Sequence, residues 1–127
     1  MLVVVSPAKR LDFEVPAPTK KFTQLSELER SKRLIRELKK CDAKKISSLM
    51  KLSDALTELN IKRYKEFKTP FNLKNAKQAV FAFKGDTYVG LDAETMKESD
   101  LKYAQDHLRI LSGLYGLISP LDLIQPY

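Results

Sequence analysis

Two short apolar runs limit the sheet that this sequence can form. Leu2–Val5 (LVVV) and Ala79–Phe83 (AVFAF) have the continuous apolar composition, rich in β-branched or aromatic residues, of short buried strands. Pro7 stops the first run, and Gly85 marks a turn just after the second. The long segment between the two runs has helical spacing instead. We therefore predict a mixed α/β (α+β) fold, with helices around a small sheet.

Hydrophobic spacing and N-cap residues predict three helices in that middle segment. Ser26 and Glu29 have the spacing of a capping box at the start of an amphipathic helix over about residues 27–40. Asp42 and Ser53 are suitable N-caps for the second and third helices.

A fourth helix is predicted nearer the C-terminus. Ser99 is a suitable N-cap, and Leu101, Leu108 and Leu111 fall on one helical stripe after it. Gly113 would end this helix, because glycine readily adopts the left-handed conformation found at helix C-termini.

Positive charge is concentrated in the middle of the chain. The formal net charge is +7, but residues 30–84 contain 16 Lys or Arg against five acids, a net charge of +11, whereas the remainder has a net charge of −4. This asymmetry favours a polyanionic partner, most commonly nucleic acid, and a merely solvated basic face is the alternative. The candidate DNA-binding cations of this region are Lys32, Arg33, Arg36, Lys39, Lys40, Lys44 and Lys45.

The residue types also indicate how DNA would be held. Lysine dominates the basic region, and no helix carries Asn, Gln and Arg at a spacing suited to reading bases. Contacts to phosphate position a protein on DNA without specifying sequence. We therefore expect binding to the phosphate backbone that selects DNA structure rather than sequence.

One cysteine and one histidine restrict the redox and metal chemistry of the chain. Cys41 cannot form an internal disulfide, and Cys41 and His107 are too few to build a zinc or iron site, so we expect no metal and no cofactor. Neighbouring lysines would favour a Cys41 thiolate, so a peroxide-sensing thiol and a small residue between helices are the two interpretations. The absence of a signal peptide and of a long apolar run predicts a cytoplasmic protein.

Four segments, in order along the whole chain, resemble the YaaA family. They are Ser6–Phe13 (SPAKRLDF), Ile46–Asn60 (ISSLMKLSDALTELN), Phe83–Leu91 (FKGDTYVGL) and Ala104–Tyr127 (AQDHLRILSGLYGLISPLDLIQPY). The resemblance implies a cytoplasmic DNA-binding protein of the hydrogen peroxide stress response that helps limit oxidative damage, with free iron lowered indirectly. Family members are considerably longer. Residues 1–127 are therefore expected to be the N-terminal portion of a single YaaA-like domain, an incomplete fold whose apolar C-terminal stretch would be covered by more protein.

The same resemblance implies a helix-hairpin-helix element. Leu111–Gly116 (LSGLYG) has glycines three residues apart between apolar positions. In such a hairpin Gly113 and Gly116 would present backbone N–H groups to a DNA phosphate, with Arg109 as the nearest basic side chain. The alternative is a glycine C-cap followed by a packed turn.

The alternative function is an enzyme acting on a nucleotide or another phosphorylated small molecule. Lys9 and Lys84 each follow a predicted strand, where loops commonly place functional groups and a lysine can hold a phosphate. For this interpretation Lys9, Lys84 and Asp86 should converge on one concavity away from the basic helices. Surface lysines beside a Gly-Asp turn are the simpler explanation, and no catalytic residue is assigned. A lysine-rich scaffold for a protein partner is the third possibility.

Overall fold

The computed structural model describes all 127 residues, Met1–Tyr127, and shows short strands combined with six helices. This confirms the predicted mixed α/β class. The strands are β1 Val3–Val5, β2 Arg10–Leu11, β3 Lys77–Gln78, β4 Phe83–Lys84, β5 Leu108–Ser112, β6 Gly116–Ile118 and β7 Leu123–Ile124. The helices are α1 Leu28–Lys39, α2 Ala43–Met50, α3 Asp54–Glu66, α4 Ala79–Ala82, α5 Asp86–Leu91 and α6 Glu98–His107, with a 3₁₀ turn at Ala93–Thr95. None of these helices combines the length and apolarity that crossing a bilayer requires.

The largest sheet has three strands in the order β1-β5-β6. β1 runs parallel to β5, with Val5 opposite Ile110, and β6 runs antiparallel to β5, with Ile118 opposite Ile110. Successive side chains point to opposite faces of a strand, so Ile110 and Ile118 are fully buried while Leu111 and its cross-strand partner Leu117 are exposed. Two antiparallel ladders, β2–β4 and β3–β7, are separate from this sheet.

The main hydrophobic core joins all of these sheets. Its buried members include Phe83 of β4, Ile110 of β5 and Leu123 of β7. Phe71 and Tyr115 pack edge to face within it, with ring centroids 6.3 Å apart. Burying a large apolar side chain stabilises the folded state by about 1.5–3 kcal/mol, because apolar area is removed from water. The core therefore fixes the ends of β2 and β4, from which the candidate phosphate ligands project.

The apolar run Ala79–Phe83 is not the strand that its composition predicts. Residues 79–82 form the single helical turn α4 between β3 and β4. All of its side chains are buried, so the run lacks the periodicity that distinguishes a strand from a helix. Its first two N–H groups donate to the carbonyl oxygens of Asp122 and Pro120, which places the turn against the C-terminal segment.

The predicted helices of the middle segment are confirmed as α1, α2 and α3. The Asp42 carboxylate and the Ser53 hydroxyl each accept a hydrogen bond from the backbone N–H three residues on, at 2.8 and 3.3 Å, so both predicted N-caps form. The capping box at Ser26 is wrong, because α1 begins two residues later behind Glu27, with no side-chain cap.

The predicted fourth helix is correct only in its first part. α6 ends at His107, and Leu108–Ser112 is strand β5. Leucine spacing fits either structure, but as a strand β5 satisfies its backbone groups on both edges, with β1 on one side and β6 on the other. The segment Leu111–Gly116 therefore turns between antiparallel strands. The predicted helix-hairpin-helix element is wrong at this segment.

Candidate functional site

The first candidate surface is the exposed side of α1. Ser31 and Ile35 are buried against the rest of the fold, so the opposite side of the helix faces solvent. Arg33 and Arg36 are exposed there, whereas Lys39 is exposed at the edge of the buried side, beside Ile46 and Tyr64. We define the basic helix face as the cations that the sequence predicted for DNA binding, which lie on α1, at its C-cap and in the first turn of α2; Lys32 is half-buried and the other six are exposed. Its members are Lys32, Arg33, Arg36, Lys39, Lys40, Lys44 and Lys45.

Only two cations of the basic helix face are paired with acids. Lys32 contacts Glu29 at 3.1 Å and Lys40 contacts Glu37 at 3.2 Å, each within α1. Exposed pairs of this kind are worth at most about 1 kcal/mol and are readily exchanged for another anion. The five cations that form no ion pair are Arg33, Arg36, Lys39, Lys44 and Lys45.

The spacing of these cations suits a regular polyanion. At a rise of about 1.5 Å per residue, Arg33 and Arg36 stand about 4.5 Å apart along the same side of α1, a length over which duplex DNA carries about three phosphate charges. Lys44 and Lys45 lie in the first turn of α2, where the helix dipole is already positive. Lysine ammonium groups in a first turn are repelled by the positive end of the helix dipole, so an anion bound there would offset this repulsion.

The hairpin at residues 111–116 is a packed turn rather than an open backbone site. Gly116 has φ +71°, and a Cβ atom there would lie 3.1 Å from Cγ of Glu27, so glycine is strongly favoured. The Ser31 hydroxyl donates to the Leu114 carbonyl at 2.9 Å and joins the turn to α1. Gly113 is exposed, with nothing within 4 Å of its Cβ position.

Arg109, the basic residue nearest this hairpin, is largely committed to the fold. Its guanidinium donates to the carbonyl oxygens of Gln105 and Leu108 at 2.6 and 2.7 Å, at the C-terminal end of α6. A cation at this end of a helix interacts favourably with the last carbonyls. DNA contacts by Arg109, Gly113 and Gly116 stay a prediction, and a β-turn rather than a helical hairpin would have to make them.

The second candidate surface is a cavity of about 320 Å³ at the β2–β4 ladder. It is lined by the three residues predicted to meet at a ligand pocket, Lys9, Lys84 and Asp86, together with Arg10. The ladder places Arg10 directly opposite Lys84, so two cations face each other across the strands. We call this concavity the β2–β4 cavity.

Backbone geometry shapes the floor of the β2–β4 cavity. Gly85 has φ +151°, a conformation that a side chain would strain, and its Cβ position lies 3.4 Å from the Ala8 Cβ. Tyr88 of α5 donates its hydroxyl hydrogen to the Ser6 carbonyl at 2.6 Å. Desolvation raises the pKa of this tyrosine to about 12, so it stays a hydrogen-bond donor at neutral pH. These contacts hold the β1–β2 loop against α5.

Lys84 is held by a carboxylate from outside the β2–β4 cavity. Its ammonium lies 2.7 Å from Oε1 of Glu94, which belongs to the 3₁₀ turn. The hydrogen bond from Lys84 lowers the pKa of the Glu94 carboxyl. Glu94 thus supplies the only ion pair that the cations of the cavity possess.

Sequence reasoning missed Lys77, which is buried next to this ladder. Its ammonium donates to the carbonyl oxygens of Asp12 and Val15 at 3.0 and 2.6 Å, and burial lowers its pKa. The Asp12 carboxylate accepts the N–H groups of residues 14 and 15, and those bonds lower its pKa. Asp12 therefore serves a turn and does not line the β2–β4 cavity with Asp86. The one sequence signal for Lys77 is its position just before a buried apolar run.

Comparison with known proteins identifies the family. A family model described as peroxide stress protein YaaA matches residues 1–127. The chain belongs to this YaaA family. A UPF0246 protein of Shewanella loihica is 56% identical over all 127 residues, and the match covers 49% of that protein. The chain thus spans about half the length of the curated relative that it matches. Membership in the YaaA family supports a role in the peroxide stress response.

Membership in a peroxide stress family makes Cys41 and His107 of special interest. The Cys41 sulfur is half-buried, donates to the Glu37 carbonyl at 3.5 Å and packs against the cluster around Ile46, which favours the interpretation as a small residue between helices. His107 stacks on Tyr103 with ring centroids 4.0 Å apart. No group of three or more His, Cys, Asp or Glu side chains is placed to hold a metal ion.

Proposed function

We propose that this chain binds the phosphate backbone of DNA through the basic helix face, as part of a cytoplasmic response to hydrogen peroxide. The observation that supports this most strongly is the set of unpaired cations along α1 and at the start of α2. The proposed contacts select DNA structure rather than sequence, because lysine and arginine on phosphate carry no base information. Protection from oxidative damage, including an indirect lowering of free iron, would follow from this binding in the cell.

The charge distribution supports the same location. The net charge of +11 lies within residues 30–84, whereas the rest of the chain is acidic overall. An excess of positive charge in one part of a protein attracts a polyanion and raises the rate of association. The β5–β6 hairpin lies outside this region, so we assign the main contact to α1 and α2.

Fluorescence anisotropy with labelled duplex and branched DNA at several salt concentrations tests the proposal. Arg36→Glu should weaken binding by about tenfold or more, since each phosphate contact adds to a salt-dependent affinity. Lys20→Glu is the matched control, because it changes the net charge equally at an exposed residue outside the basic region. Affinity that ignores salt, or equal losses in both variants, would contradict the proposal. Absence of binding to any DNA would favour a protein partner.

We propose, as a second candidate function, that the β2–β4 cavity binds a phosphorylated small molecule. The specific observation in favour is that Lys9, Lys84 and Asp86 converge on this one cavity, which does not include any residue of α1 or α2. Its volume is at the lower end of the range for small-molecule sites. Isothermal titration with ribose 5-phosphate tests this function, and Lys9→Gln should weaken the binding. Product analysis after incubation would show whether the chain also transforms the ligand.

A further inference from the structure

The β2–β4 cavity brings several cations together, and the fold leaves part of their mutual repulsion in place. Arg10 and Lys84 are cross-strand partners, and like charges directly opposite each other destabilise an antiparallel pair. Lys9 adds a third cation at the same concavity. Neither Lys9 nor Arg10 forms an ion pair, so Lys84–Glu94 is the one ion pair among these cations, and the Asp86 carboxylate at the same cavity is the other nearby negative charge.

Glu94 provides this compensation from outside the β2–β4 cavity. It lies in the 3₁₀ turn Ala93–Thr95 and does not line the concavity, whereas Lys84 does. The side chains of Lys84 and Glu94 are 32% and 46% exposed, so water and salt screen their attraction. The other charges near Lys84 are the Asp86 carboxylate at the same cavity, the Asp12 carboxylate, which is occupied by its own turn, and the buried Lys77 ammonium.

We propose that Glu94 acts as an internal competitor, occupying Lys84 in the free protein and giving it up when a phosphate monoester enters the β2–β4 cavity. This inference rests on the second candidate function. A dianionic phosphate offers Lys84 more negative charge than one carboxylate and can also engage Lys9 and Arg10. The exchange replaces one ion pair of Lys84 by another, so binding needs no net loss of contacts. Because a ligand must displace Glu94 from Lys84, the cavity favours doubly charged ligands over singly charged carboxylates.

Titration calorimetry with ribose 5-phosphate on the wild type and three variants tests the competition. Glu94→Gln removes the competing charge and should tighten binding by about threefold to fivefold, the upper part of the range expected when an exposed ion pair is lost. Lys84→Gln should weaken it by about tenfold. Glu98→Gln is the matched control, because Glu98 also forms an exposed ion pair with a lysine, Lys21, at 3.3 Å but lies elsewhere. Its affinity should stay within twofold of the wild type.

A spectroscopic measurement on the wild type checks the same exchange. At pH 7.5, where ribose 5-phosphate is dianionic, the carbon-13 signal of the Glu94 side-chain carboxyl should shift on saturation toward its position in Lys84→Gln, because Lys84 has left it. Binding by the wild type with unchanged affinity in Glu94→Gln and an unchanged Glu94 signal would overturn the competition alone. Failure of both the wild type and Glu94→Gln to bind ribose 5-phosphate would instead overturn the second candidate function together with this inference.

Discussion

The hydroxyl of Ser31 donates to the carbonyl oxygen of Leu114 at 2.9 Å, across 83 residues of sequence. This bond ties the helix that carries most of the basic helix face to the turn between β5 and β6. Ser31 is fully buried and Leu114 is half-buried, so the bond is shielded from water on the side of the helix. The orientation of α1 therefore depends on a hairpin that itself has few charges to offer DNA.

The first prediction concerns this bond. Ser31→Ala removes the hydrogen bond to the half-buried Leu114 carbonyl and should lower the free energy of unfolding by about 1 kcal/mol. Urea denaturation followed by circular dichroism measures the effect. Ser48→Ala, at an exposed position of α2, is the control and should change stability by less than about 0.5 kcal/mol. Equal stability of the two variants would show that the bond does not hold α1 in place.

The second prediction distinguishes the two glycines of the hairpin. Gly116→Ala should destabilise the fold by about 1–2 kcal/mol or more, because alanine at φ +71° is strained and its Cβ would meet Glu27. Gly113→Ala should be nearly neutral, since its Cβ position is open. Thermal unfolding of both variants gives the comparison. A helix-hairpin-helix, in which both glycines are needed for close backbone approach, would instead leave the two variants alike in stability.

Signals in the sequence were sufficient to predict helix caps but not strand pairing. Asp42 and Ser53 were identifiable as N-caps because capping depends on neighbouring backbone groups, and both bonds form. Leu108–Ser112 was not identifiable as a strand, because its partners β1 and β6 are chosen by tertiary pairing that local spacing cannot reveal. The lysines that could hold a phosphate were likewise identifiable from the sequence. The strand register that places Arg10 opposite Lys84 is visible only in the structure.

The third prediction is a pH dependence of stability at Tyr88. Burial raises its pKa in the folded state to about 12, above the ordinary value of 10, so the folded state holds the proton more tightly than the unfolded state. The stabilising contribution is complete below pH 10 and is lost as the pH rises toward 12. The difference in unfolding free energy between the wild type and Tyr88→Phe should therefore shrink over this range. A difference that stays constant from pH 9 to pH 12 would contradict the assignment.

The fourth prediction concerns the salt dependence of DNA binding. If the basic helix face neutralises about six phosphates, the logarithm of the affinity should fall against the logarithm of salt concentration with a slope near −5. Replacing Lys44 and Lys45 together by Gln removes two contacts and should make the slope less steep by about two. Asp42 continues to cap α2 in this variant, because it bonds only the backbone N–H of residue 45. The variant should thus retain its fold, and circular dichroism can verify this. An unaltered slope with weaker binding would mean that these lysines act by positioning α2 and not by touching DNA, which would confine the phosphate contacts to α1.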